Sequence, residues 1–212
     1  MNITILTDNP KSWYVFYVKE LIEILSKKNN VNHIFDKKDI KEGDIMFILS
    51  CERILSSKYL KFHKNNIVIH PSKLPLGKGW SPLAWQILDN QNSIPFSLFE
   101  VNEGLDSGDI YFVSYLNLKG HEINCEIKEL QGKLFNEMVR EFVDSYKEIV
   151  PTKQEGQESF YSKRTKLDSE LNVDNSIREQ FNLLRIVDNE RYPAYFSLNG
   201  HKYIVKISKD NN

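Results

Sequence analysis

Apolar and polar residues alternate in blocks along the first part of the chain, and the blocks have two periods. Asn2 to Thr7 is a short apolar run closed by Asp8, Asn9 and Pro10, which predicts a buried strand and a turn. Val15, Val18, Leu21, Ile22 and Leu25 then recur at helical spacing, with Lys19, Glu20, Lys27 and Lys28 on the wet side. Val31 to Phe35, Asp44 to Ser50 and Asn66 to His70 predict three further strands. The second of these is nearly all apolar, as a strand covered on both faces must be. Ser57 to Phe62 predicts a short helix, and Ser81 to Leu88 another, with Ser81 as N-cap and Pro82 at the first helical position. Strand, turn and helix in this order predict an α/β fold on a mostly parallel sheet.

The pattern then changes. Pro95 to Val101 and Ile110 to Leu116 are aromatic-rich runs on either side of the acidic, glycine-containing stretch Asn102 to Asp109, which predicts two antiparallel strands and their loop. Ile123, Ile127, Leu130, Leu134, Met138 and Phe142 mark the buried stripe of a long helix that ends before Pro151. Thr152 to Ser159 is polar and predicts a connector, and Ile177 to Leu184 a short helix. Tyr192 to Leu198 and Tyr203 to Ile207 flank Asn199-Gly200, a strong hairpin signal. The expected organisation is a main domain over residues 1–151 and a small α+β appendage with a β-hairpin over 152–212.

Composition narrows the function classes. Apolar residues make up 41% of the chain, enough for a full core, and the formal net charge is −1 with no long block of like charge. Neither a nucleic-acid partner nor a membrane surface is expected. The two cysteines, Cys51 and Cys125, make no disulfide framework and no metal-type spacing, so no metal is expected. The opening residues lack the basic end and apolar run of a signal peptide, and no apolar stretch is long enough to span a bilayer. A cytoplasmic protein with reduced thiols is the expectation.

Three places can carry chemistry. His70 closes an apolar strand and is followed at once by Pro71. Ligands of open α/β sheets bind beyond the carboxyl ends of strands, so His70 stands where catalytic groups stand; a histidine packed at a strand end is the alternative. Asp106 lies between Gly104 and Gly108, where positive φ and close backbone approach to a ligand are permitted. It can orient a histidine, or be an ordinary turn residue. In Lys73 to Pro82, Lys78 between Gly77 and Gly79 is expected to be exposed and free to meet an anion. Trp80 can stack on a base or sugar, or simply pack.

Together these motifs resemble the formyltransferases that use N10-formyltetrahydrofolate. The resemblance rests on His70-Pro71-Ser72, Leu74-Pro75, Gly79, Pro82, Trp85-Gln86-Ile87-Leu88 and Leu105-Asp106-Ser107-Gly108, in that order. Phe160-Tyr161, Lys163-Arg164-Thr165, Asp168 and Tyr192-Pro193-Ala194 are similar to the tail of the family's sugar-modifying branch. The resemblance implies a Rossmann-like sheet, His70 as general base and Asp106 as the carboxylate that tunes it. It also implies a folate pocket lined by Arg53, Ile54, Leu55, Glu103, Leu105 and Asp106, and allows a homodimer. One departure stands out: the family's asparagine two residues before the histidine is Val68 here, which cannot donate to an oxyanion. Asn66 shares the strand face but lies further from its end, and Asn9, after the first strand, is the preferred substitute.

The family's branches differ in acceptor. The tRNA branch resembles a longer chain with a basic C-terminal domain, and the glycinamide branch has a glycine-rich loop where Thr7 to Trp13 has none. Asn9, Ser12-Trp13, Ser50-Cys51-Glu52 and Lys78-Gly79-Trp80-Ser81 resemble the subgroup that modifies a UDP-linked 4-amino-4,6-dideoxy sugar on the way to pseudaminic acid. That likeness implies a nucleotide-sugar site of Asn9, Trp13, Lys78, Gly79, Trp80 and Ser81, with Lys78 on the diphosphate. A folate- or nucleotide-binding protein without catalysis, and a hydrolase releasing formate, are the rival readings.

Overall fold

A computed structural model of the chain describes residues 1–210. The main body runs β1 (Asn2–Leu6), α1 (Val15–Leu25), β2 (Asn30–Ile34), β3 (Gly43–Ile48), α2 (Ser57–Leu60), β4 (His63–His70), β5 (Lys78–Gly79), α3 (Pro82–Leu88), β6 (Ser93–Glu100), β7 (Ile110–Asn117) and α4 (Asn124–Ser145). Then follow β8 (Phe160–Tyr161), α5 (Phe181–Ile186), β9 (Ala194–Leu198) and β10 (His201–Val205). The large sheet has the order β2–β1–β3–β4–β6–β7, parallel from β2 to β4 and antiparallel from β4 to β7. This is the mostly parallel arrangement that the block pattern predicts, in the Rossmann-like form that the resemblance implies.

Period-two alternation explains why β3 and β4 read as continuous apolar runs. Ile45, Phe47, Ile67 and Ile69 enter a core shared with Val18 and Leu21 of α1 and Phe135, Val139 and Phe142 of α4. Met46 and Ile48 point to the other face, into a second cluster that takes in Leu60 and Val68. Helices α1 and α4 meet closely: a Cβ on Gly132 would lie 2.6 Å from the Tyr17 ring, and the buried Tyr14 hydroxyl donates to Asn136 at 2.8 Å.

The C-terminal part has its own small cluster of Leu184, Val187 and Ala194, and a hairpin whose Asn199 and Gly200 have φ of 51° and 76°. It is fastened to the main body by polar contacts. Arg185, 1% exposed, donates to the Glu122 carbonyl at 3.0 Å and pairs with its carboxylate at 3.3 Å, while Lys128 on α4 holds Asp188 at 2.9 Å. The expected helix over 177–184 starts later, at Phe181. Before it, Glu179 accepts from the Ser176 N–H, and Gln180 both accepts from Asn172 N and donates to Asn172 O. Side chains thus satisfy that backbone outside a helix. The expected connector is also more than polar chain. Thr152 bridges Ile110, and β8 pairs in parallel with β5.

Arg185→Met would leave the Glu122 carboxylate buried without its cation. It is expected to cost about 3–5 kcal/mol in urea unfolding, with part of the loss recovered when Glu122→Gln is added.

Candidate active site

Four parallel strands deliver their carboxyl ends to one edge, and between β1 and β3 the chain direction across the sheet reverses, which opens a crevice. The loops around it are tied together. The Asp8 carboxylate accepts from the N–H groups of Glu52 and Arg53 at 2.9–3.0 Å, and the Ser12 and Ser50 hydroxyls are 2.8 Å apart. The resulting cleft has a volume of about 850 Å³ and includes His70 and Asp106 in its lining. One wall is apolar, with Ile48, Leu55, Leu60, Val68, Phe99 and Val101. The other carries Trp13, Trp80, Ser81, Gln131 and Phe135. A smaller cavity of about 340 Å³ adjoins the second wall and shares Trp13, Pro71, Ser81 and Gln131 with it.

His70 is 6% exposed. Its Nε2 lies 2.8 Å from the Gly77 carbonyl oxygen. A carbonyl only accepts, so Nε2 carries the proton and Nδ1 keeps its lone pair. Nδ1 faces Asp106 Oδ2 at 3.7 Å, beyond a direct hydrogen bond. The carboxylate therefore lies on the side of the ring that carries the lone pair. Asp106 is held in turn: its Oδ2 accepts the Gly79 N–H at 2.9 Å, and its backbone is left-handed at φ 46°.

The two glycines around Asp106 act differently from the sequence expectation. The left-handed residue of the turn is Asp106 itself. Gly108 makes a close approach to protein backbone, since a Cβ there would lie 1.6 Å from the Glu100 carbonyl oxygen. The glycine seats the turn on β6, and the acid occupies the strained position.

Arg53, Ile54, Leu55, Glu103, Leu105 and Asp106 all line the cleft, as do Trp13, Gly79, Trp80 and Ser81. Three expectations change. Lys78 is 2% exposed and pairs with Glu158 at 2.5 Å, because the β5–β8 pairing covers it; it is not free to meet a diphosphate. Asn9 turns its side-chain oxygen to the Lys11 N–H at 2.9 Å and stands outside the cleft lining, so the structure does not bring it to His70. Asn66 is buried and donates to the Leu60 carbonyl at 3.0 Å. Ser81 does precede α3, but in the left-handed region at φ 54° and without a side-chain cap bond.

One residue of the site was not singled out from sequence. Gln131 sits four residues after Ile127 on the α4 stripe, so a polar residue at a core-facing position was the available signal. Lys163, from the stretch that resembles the family's tail, lies with its ammonium 4.8 Å over the ring of Trp80, which lines the cleft. Cys51 also lines the cleft, but burial pushes its thiol up to about 12, which keeps it protonated and unreactive. No cluster of potential metal ligands occurs among the described residues, and among them no helix is long and apolar enough to cross a membrane.

The fold and the site together define a Rossmann-like protein with a ligand crevice at the carboxyl edge of its sheet and a histidine–carboxylate pair in that crevice. Residues 14–135, more than half of the chain, match the family described as Formyl transferase, and the chain belongs to that family. The methionyl-tRNA formyltransferase of Finegoldia magna is 28% identical over 143 residues, 65% of this chain and 45% of that protein. The methionyl-tRNA formyltransferase structure from Clostridium thermocellum superposes with a TM-score of 0.84 at 26% identity, covering 100% of this chain and 94% of that one. A 4-N formyltransferase from Francisella tularensis shares the fold, with a TM-score of 0.78 at 20% identity and coverage of 100% and 98%. The chain spans about half the length of the curated relatives it matches.

Gly108→Ala is expected to unseat the Asp106 turn from β6 and to lower stability by at least about 1–3 kcal/mol, read as a fall in thermal midpoint.

Proposed function

We propose that this chain transfers the formyl group of N10-formyltetrahydrofolate to the amino group of a nucleotide-linked amino sugar, a UDP-4-amino-4,6-dideoxy sugar of the pseudaminic-acid type. The observation that carries this reading is the His70 Nδ1 lone pair facing Asp106 in the lining of a deep, two-walled cleft. Membership of the formyl transferase family supports the donor. The apolar wall suits a flat ring, and the loops 53–55 and 103–106 border it.

The donor supplies an activated formyl carbon. An amine attacks that carbon only when unprotonated, and His70 Nδ1 is placed to take its proton while Nε2 stays fixed on Gly77. Asp106 stabilises the resulting imidazolium, which can return the proton to the departing folate nitrogen. Val68 contributes no hydrogen-bond donor to the charge developing on the formyl oxygen. Two uncharged polar side chains of the second wall, Gln131 and Ser81, are the groups nearest in kind to that role.

The second wall and its adjoining cavity suit the acceptor. Trp13 and Trp80 offer stacking faces, and Lys163 on Trp80, rather than Lys78, is the cation for a diphosphate. The curated relatives favour methionyl-tRNA as a second reading. Against it stands a formal net charge of −1, since RNA affinity draws on neutralised phosphates.

One panel tests these readings. With formyl-folate and UDP- or dTDP-amino sugars, formylated sugar is expected by mass spectrometry. Formylated methionyl-tRNA alone would replace the sugar reading, formate alone would indicate a hydrolase, and binding without reaction a disarmed relative. His70→Asn is expected to lower turnover by about 10²–10⁴. Lys163→Ala is expected to raise KM for the nucleotide sugar severalfold with kcat little changed.

A further inference from the structure

We infer that Gln154 is the positioning residue for Asp106, holding the left-handed turn that aims its carboxylate at His70; this rests on His70 and Asp106 being the working pair. The Gln154 amide forks onto the turn, with Nε2 donating to the carbonyls of Asp106 and Gly108 at 2.8 Å each. Immediately before the first of those carbonyls the chain keeps Asp106 at φ 46°, a conformation an L-residue adopts only at a cost. The amide cannot be turned over, because its oxygen would then face two carbonyl oxygens. In the arrangement found, Oε1 is buried and bonded to no described group. A part-buried amide whose oxygen is left unsatisfied serves folding less well than an apolar side chain of its size, so its value lies in what the NH₂ group holds.

The neighbouring residues act in the same sense. Thr152 and Ile110 exchange backbone hydrogen bonds at 2.8 Å, fixing the chain just before Gln154. Ser159 Oγ accepts the Gly77 N–H at 2.8 Å, and the Ser159 carbonyl accepts the Lys78 N–H at 2.9 Å. One strap, residues 152–161, therefore secures both groups that face the His70 ring: the Gly77 carbonyl and the Asp106 carboxylate.

The test compares Gln154→Met and Gln154→Glu, which keep the volume and lose the donor, in the wild-type and Asp106→Asn backgrounds. In the wild-type background kcat is expected to fall about ten- to a hundredfold; in Asp106→Asn the same changes are expected to cost less than about twofold, because coupled residues are non-additive. Equal losses in both backgrounds would overturn the assignment. A second readout does not need the reaction. The Gly79 amide donates to Asp106 Oδ2, so its hydrogen exchange is expected to speed about tenfold in both variants, with the amides of β1 unchanged. An unchanged Gly79 amide, or global unfolding of both variants, would overturn the positioning role. Faster Gly79 exchange in a protein with no formyl transfer would uphold it and reject the proposed reaction instead.

Discussion

A strand buried on both faces has nowhere along its length to present polar chemistry, and this constraint organises the molecule. Ile45 to Ile48 and Ile67 to Ile69 send alternate side chains into two separate apolar clusters. At the cleft end of β4 the first polar position after this apolar run is the strand's last residue, His70. Everything that serves the ring must then come from loops that extend past the sheet edge: Gly77 beneath Nε2, Asp106 opposite Nδ1, and the 50–56 segment across the cleft. The apolar layers below give those loops a floor, and Val68 puts no second polar side chain on the strand beside His70.

The strand–helix alternation and the C-terminal hairpin were legible in the sequence because each has a local cause. Period two marks β3 and β4, period 3.6 marks α1 and α4, and Asn199-Gly200 supplies consecutive positive φ values. His70 and Asp106 were legible as well, one from its place at a strand end and the other from its turn. Their partners were not. Lys78 looks exposed between two glycines until β8, some eighty residues later, lies against it; its burial is a long-range fact with no local trace. Gly108 looks like a ligand-facing glycine until β6 is known to pass under it. Gln131 is the intermediate case, a polar residue on an apolar stripe whose meaning depends on the cleft at that point of the helix.

The site's electrostatics are set by few groups. Cys51, though in the cleft wall, is held neutral by burial. The buried cation Lys78 is neutralised by Glu158, and Arg185 by Glu122 well away from the cleft lining. Glu52, Arg53 and Glu103 line the cleft as well, and Asp106 is the carboxylate that faces the His70 ring, at 3.7 Å.

The strap over 152–161 lies beyond residues 14–135, the stretch that matches the Formyl transferase family. What is most recognisable in the chain is thus not self-sufficient. The matched stretch supplies the ring and the acid, while a segment beyond it sets their aim. A chimera built by exchanging everything after α4 with a relative would inherit a foreign clamp on a native pair. A junction placed after Tyr161 would carry the clamp across intact, so the unit of modular exchange in this chain ends with β8 rather than with its longest helix.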